Sequence, residues 1–229
     1  MEPTPHPYAP DECWVIPPGW AVPDLPGYAE GVFTVQDPAT LAAVRLLDPQ
    51  PGETVWDACA APGGKAALIA DRMDGRGRLF ATDRYDDRLE RLRDNLRRLQ
   101  LAEVTVQKID LRAPGEAADL PAEFDRILLD VPCSNTGVLR RKPDARWRFS
   151  GDRLADLVEL QGVLLDRCAS RLKKGGVLVY STCSLEADEN QSHLQRWLAR
   201  RPEFRLEREV VLFPPRSRTD GAYAARLVR

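Results

Sequence analysis

Histidine is almost missing from this chain: His6 and His193 are the only two among 229 residues. That scarcity argues against a histidine-based catalytic triad. The five cysteines, Cys13, Cys59, Cys133, Cys168 and Cys183, form no CxxC pair, so neither a zinc cage nor a disulfide framework is expected. Reduced thiols in a cytoplasmic setting fit this usage better. No apolar run approaches the ~18 residues of a membrane span. Pro3, Pro5 and Pro7 stand where a signal peptide would carry its apolar stretch. Chemistry is left to Cys, Asp, Lys or a bound cofactor.

What is present begins with 43% hydrophobic and 30% charged residues, enough for one α/β domain with a core. The net charge of -2 hides an asymmetry, because residues 1–60 hold nine acids against one base, Arg45. Arginine outnumbers lysine 28 to 5, which suits phosphate recognition but on count alone fits genome composition and solvated helix faces better. The Arg84–Arg98 cluster is read as such a face. Eight of the 19 prolines precede Gly27, so residues 1–35 read as an extended arm and 36–229 as the folded domain.

Helical spacing of Leu41, Val44 and Leu47 predicts a first helix over Pro38–Leu47. Five β-type runs follow: Thr54–Asp57, Arg78–Asp83, Val104–Asp110, Asp125–Asp130 and Gly176–Thr182. Helical patterns separate them, over Tyr85–Leu99 and Leu154–Leu172. This alternation implies a parallel sheet with helices on both faces, its ligands held at the carboxyl ends of the strands. Four of the five runs end there in aspartate.

Three motifs occupy those ends. Asp57-Ala-Cys59-Ala60-Ala61-Pro62-Gly63-Gly64-Lys65 follows the first run and opens a helix; its small residues let backbone approach a ligand. It matches neither GxGxxG nor a P-loop. Asp83 lies 20 residues beyond Gly63, where nucleotide-binding folds place an acid on ribose hydroxyls. Asp130-Val-Pro-Cys133 ends the fourth run, and Ser181-Thr-Cys183-Ser ends the fifth. Cys168, on an apolar helix face, reads as an inert core thiol. Cys133 and Cys183 have polar surroundings that leave both an inert and a reactive reading open.

DACAAPGGK, FDRILLDVPCSNTG and VYSTCSLEADEN together resemble the RsmB/Sun family of S-adenosylmethionine-dependent RNA cytosine-5 methyltransferases. The similarity runs from Gly31–Asp37 to the C-terminal Asp220–Arg229. It implies a Rossmann-like class I methyltransferase, with a mostly parallel seven-stranded sheet whose last strand is antiparallel. The final strands would be Phe204–Glu207 and Ala222–Val228. It further implies Cys183 as nucleophile, Cys133 as the thiol that assists product release, and Asp130 at the cytosine edge and the methionine part of the cofactor. Cys59 to Lys65 would hold the methionine portion, Asp83 the ribose and Asp110 the adenine.

RNA contact is expected from Arg140, Arg141, Lys142, Arg146 and Trp147, where bases surround an aromatic. The alternative for Trp147 is a place in the core. Activation of Cys183 is left open between substrate binding and a helix beginning near Glu186, whose acidic first turn opposes it. Ribosomal RNA is favoured over transfer RNA as substrate. Transfer RNA, DNA cytosine methylation and a catalytically silent relative are the alternatives. Family members carry a further RNA-binding region before this domain, so an accessory partner or an additional segment is expected. No metal and no membrane are expected.

Overall fold

A computed structural model of the chain describes residues 2–113 and 119–229. Met1 of the arm lies outside them. In chain order the elements are β1 (Thr4–Pro5), β2 (Trp14–Val15), α1 (Thr40–Leu47), β3 (Thr54–Asp57), α2 (Gly64–Met73), β4 (Arg78–Asp83), α3 (Asp86–Arg98), β5 (Thr105–Lys108) and β6 (Phe124–Asp130). There follow α4 (Ala145–Arg148), α5 (Gly151–Ser170), β7 (Leu172–Thr182), α6 (Gln191–Leu198), β8 (Arg205–Leu212), α7 (Pro214–Ser217) and β9 (Ala222–Val228).

Seven strands form one sheet in the order β5-β4-β3-β6-β7-β9-β8. The first five are mutually parallel, while β9 runs antiparallel to both β7 and β8. From β3 the chain moves outward to β4 and β5, then returns to the other side of β3 as β6. The order reverses there, opening a crevice beyond the carboxyl ends of β3 and β6.

Strand periodicity divides the core between the two faces of the sheet. Trp56, Phe80, Ile127, Leu129, Leu178 and Tyr180 point one way, into a layer with Leu164, Leu165 and Cys168 of α5 and Trp197 of α6. Val55, Leu79, Leu128, Val177 and Val179 point the other way, against Val44 of α1, Ile69 of α2 and Leu89, Leu92 and Leu96 of α3. The leucine stripe of α3 is thus its buried face, and its arginines are the outer one.

Several boundaries differ from the sequence reading, and three have a clear physical reason. Helix α5 ends at Ser170, and Leu172 starts β7, paired with Phe124 of β6. The i+4 spacing from Cys168 carried that leucine into the helical pattern, because a core position satisfies either assignment. β5 stops at Lys108, leaving Asp110 two residues past the strand. β8 continues to Leu212 as a charged edge strand paired on one side with β9, and its charges concealed its length.

In the arm, β1 and β2 form a two-residue antiparallel ladder. Arg98 of α3 holds its far end, donating to Tyr28 O at 2.7 Å and Phe33 O at 3.1 Å. Among the described residues no helix is long and apolar enough to cross a membrane.

Candidate active site

The loop between β3 and α2 is pinned from α3, where Arg88 Nη2 donates to Ala61 O at 2.7 Å and Asn95 Nδ2 to Pro62 O at 2.8 Å. Gly63 caps α2 with φ 104°, and a Cβ there would lie 2.7 Å from Leu92 Cδ1. Conformation and space both require glycine. The loop walls a cavity shared with Thr34, Gln36, Asp57, Asn95 and Asp130.

Three buried acceptors on that cavity have no hydrogen-bond partner: both carboxylate oxygens of Asp57 and Gln36 Oε1. Buried acceptors are normally satisfied, so these mark a place for a donor-bearing ligand. Burial pushes the Asp57 carboxyl up to about 7, against the pull of Lys65 and with help from Asp130 and Asp83. The sequence reading opened the loop motif with Asp57 but gave the cofactor role only to Cys59 to Lys65, although the place of Asp57 at the end of β3 was the available signal. Burial also pushes the Cys59 thiol up, so it stays protonated.

Asp83 and Asp110 stand farther along the same edge of the sheet. Asp83 Oδ1 accepts the Tyr85 amide at 3.3 Å, and its Oδ2 lies 3.3 Å from Arg88 Nη1. Asp110 is chelated by its neighbour Arg112, whose hydrogen bonds hold the carboxyl down at about 2.

The reacting groups meet where β6 and β7 end side by side. Cys133 Sγ and Cys183 Sγ are 3.2 Å apart, a hydrogen-bond contact between two free thiols. Asp130 is tied on both oxygens, to Lys65 Nζ at 2.7 Å and Ser181 Oγ at 2.7 Å. Asn135 lies 3.2 Å from Cys183 Sγ through Oδ1 and donates Nδ2 to Cys133 O at 2.9 Å. Gly137 N reaches Cys183 O at 3.0 Å while Gly221 N reaches Gly137 O at 2.8 Å. A Cβ on Gly137 would lie 2.5 Å from Gly221 O, so only glycine lets the three segments converge.

The two thiols are electrostatically unequal. The Cys133 hydrogen bond lowers Cys183 against burial and Asp130, with Lys65 and Lys142 assisting. That same bond and burial raise Cys133. Of the two thiols Cys183 is therefore the more acidic and Cys133 the less acidic. The helix expected to begin near Glu186 starts only at Gln191, since Ala187–Glu189 is a 3-10 turn.

Of the basic segment expected to touch RNA, two members are committed elsewhere. Arg140 reaches Asp220 at 2.7 Å and Asp37 at 2.8 Å; Arg141 reaches the same acids at 3.0 and 2.8 Å. Both acids are nearly buried, so this cluster fastens the segment just after the arm, at Asp37, to the loop before β9. Trp147 is 83% exposed, which settles its alternative: it is no core residue. Beside it, a cavity lined by Lys142, Arg148, Phe149 and Arg153 opens against Cys133 and Asn135, with no carboxylate in its wall. Phe149 and Arg153 were not singled out in the sequence. Among the described residues no cluster of His, Cys, Asp and Glu could hold a metal ion.

The family described as 16S rRNA methyltransferase RsmB/F matches residues 44–228. The chain belongs to the RsmB/F family. Relatives within RsmB/F include a probable ribosomal RNA small subunit methyltransferase B of Synechocystis, 45% identical over 188 residues, covering 82% of this chain and 42% of the relative. The ribosomal RNA small subunit methyltransferase B of Yersinia enterocolitica is 41% identical over 237 residues, covering 100% of this chain and 54% of its own. This RsmB/F chain therefore spans about half the length of the curated relatives it matches. Among solved structures, PH0851 superposes with TM-score 0.93 at 32% identity, covering 100% of this chain and 54% of that one. NSun6 from Pyrococcus horikoshii, solved with SFG, gives 0.82 at 27%, covering 91% and 56%. The expected class I methyltransferase fold is the one observed.

Proposed function

We propose that residues 36–229 form the catalytic domain of an RNA cytosine-5 methyltransferase acting on ribosomal RNA of the small subunit. The observation that carries this reading is the 3.2 Å approach of Cys133 and Cys183 beside the Lys65–Asp130 pair. When bound, S-adenosylmethionine supplies an electrophilic methyl group. The unpaired Asp57 oxygens and Gln36 Oε1 fit a ligand bearing an ammonium and hydroxyls. Cys59 to Lys65 with Asp57 would hold its methionine portion, Asp83 the ribose and Asp110 the adenine end.

Cys183 adds as thiolate to carbon 6 of the cytosine, which makes carbon 5 nucleophilic. Asp130, held by Lys65 and Ser181, faces the ring edge. After methylation the carbon 5 proton passes to solvent water, its C–H electron pair re-forms the double bond between carbons 5 and 6, the bond from Cys183 Sγ to carbon 6 breaks, and that bond's electron pair returns to the sulfur. Cys133, keeping its proton beside that sulfur, assists the departure. The strand flanking the flipped base lies over Lys142, Arg146, Trp147 and the cationic cavity at Cys133. The greater length of the curated relatives supports a further RNA-binding element, from a partner or an additional segment, and a cytoplasmic location goes with the substrate.

Transfer of labelled methyl groups to small-subunit rRNA, mapped by bisulfite sequencing, tests the reading. Matched transfer RNA and DNA substrates run beside it. A single new 5-methylcytosine in rRNA is the expected result; methylation confined to transfer RNA or DNA, or none at all, overturns it.

A further inference from the structure

Two consecutive residues beyond the TC motif touch both cysteine loops. Glu189 is fully buried at the end of the 3-10 turn. Its carboxylate accepts the Ser134 amide at 2.9 Å and Gln161 Nε2 at 2.8 Å, and the Ser134 hydroxyl donates to the other oxygen. Asn190 then accepts from Thr182 Oγ1 at 2.7 Å and donates Nδ2 to Ser184 O at 2.9 Å. One dipeptide thus holds the residue after Cys133 and the residues on each side of Cys183. The Ser134 and Ser184 hydroxyls, 3.0 Å apart, close the ring.

We propose that Glu189 is the positioning residue of the thiol pair: it locks the Cys133 loop against Cys183 and leaves Cys183 the more reactive thiol. This role depends on the methyltransferase reading for its purpose. Its test does not.

The physical reason is charge placement. Glu189's hydrogen-bond donors are all neutral, and the residue next to Ser134 is Cys133. The Cys183 hydrogen bond and burial raise the Cys133 thiol most, and Glu189 adds to them. Around Cys183 the facing groups are Lys65 of α2, Asp130 of β6 and Lys142 of the following loop. On its far side Glu189 meets Tyr180, whose hydroxyl donates to the Glu189 carbonyl at 2.7 Å, and His193, held neutral by burial with its pKa lowered to about 4. Neither supplies a cation at neutral pH.

Glu189→Gln separates charge from geometry. The amide oxygen can take the Ser134 amide and Gln161, while its NH2 donates to the Ser134 hydroxyl, which turns toward Ser184. The measurement is alkylation by iodoacetamide against pH on the full chain, without RNA, with Cys133 and Cys183 resolved by mass spectrometry. Wild type should modify Cys183 ahead of Cys133 by about tenfold or more at pH 7. Glu189→Gln should cut that ratio about tenfold with the circular dichroism spectrum unchanged. An unchanged ratio overturns the proposal. Should the variant not fold, the wild-type pH profile decides: a labelling midpoint for Cys183 below that of Cys133 supports the proposal, and equal or reversed midpoints overturn it. Loss of rRNA methylation with thiol selectivity intact would instead bear on the function proposed above.

Discussion

Lys65 Nζ lies 2.7 Å from Asp130 Oδ2, joining the loop after β3 to the PC motif at the end of β6. Burial pulls the Lys65 ammonium down, but Asp130 outweighs it, so the charge persists beside Cys183. Lys65→Met should therefore move the midpoint of Cys183 alkylation to higher pH. Methyl transfer at pH 7 should fall about tenfold or more if the shift reaches one unit. An unmoved midpoint would show that Lys65 serves Asp130 alone.

The unequal thiols predict unequal variants. Cys183→Ala should abolish methyl transfer while cofactor binding, followed by calorimetry, survives. Cys133→Ala should accumulate a covalent protein–RNA adduct, visible as a slow band on a denaturing gel. An adduct that forms in Cys183→Ala and never in Cys133→Ala reverses the two roles.

Asp57 links the cofactor cavity to stability. Its carboxyl is raised to about 7 in the folded chain, against about 3.9 when unfolded. Between those values the folded state binds the extra proton, so this group's contribution falls as pH rises from about 4 to 7 and stays low above. Asp57→Asn should relieve that cost by up to about 4 kcal/mol at pH 8 and by little near pH 4. His193, lowered to about 4, acts oppositely, with stability rising as pH climbs from 4 to 6.5. Comparing the melting temperature of Asp57→Asn with wild type across pH cancels that term. A difference that does not grow with pH would show that Asp57 is not charged at a cost. The same variant should bind S-adenosylmethionine more weakly.

Arg141 and Trp147 sit six positions apart but differ in kind. Removing Arg140 and Arg141 together strands Asp37 and Asp220, so the double alanine variant should melt several degrees lower, at about 2–4 °C per kcal/mol. Trp147→Ala should leave melting within about 0.5 kcal/mol of wild type and weaken RNA binding by about 1–3 kcal/mol. Thermal denaturation and RNA titration on both variants check this. A melting loss in Trp147→Ala, or a larger RNA loss in the arginine pair, would contradict the division.

Much of the architecture was readable before any coordinates. β3, β4 and β9 match their sequence boundaries residue for residue, because alternating apolar runs ending in Asp or bounded by turns are local signals. The motifs at Cys133 and Cys183 were readable too, since each sits at a strand end. The length of β8 was hidden by its edge charges, and Glu189 looked like one of three acids in the first turn of a helix.

By itself the sequence determined which segments become strands and helices, and which residues stand at the carboxyl edge, because those depend on neighbours a few positions away. Tertiary structure alone decided which charges are satisfied and which are left for a ligand. Arg140 meets Asp37 across 103 residues, Ser134 meets Glu189 across 55, and Cys133 meets Cys183 across 50. Such pairings follow from the order of strands in the sheet, and no local spacing encodes that order.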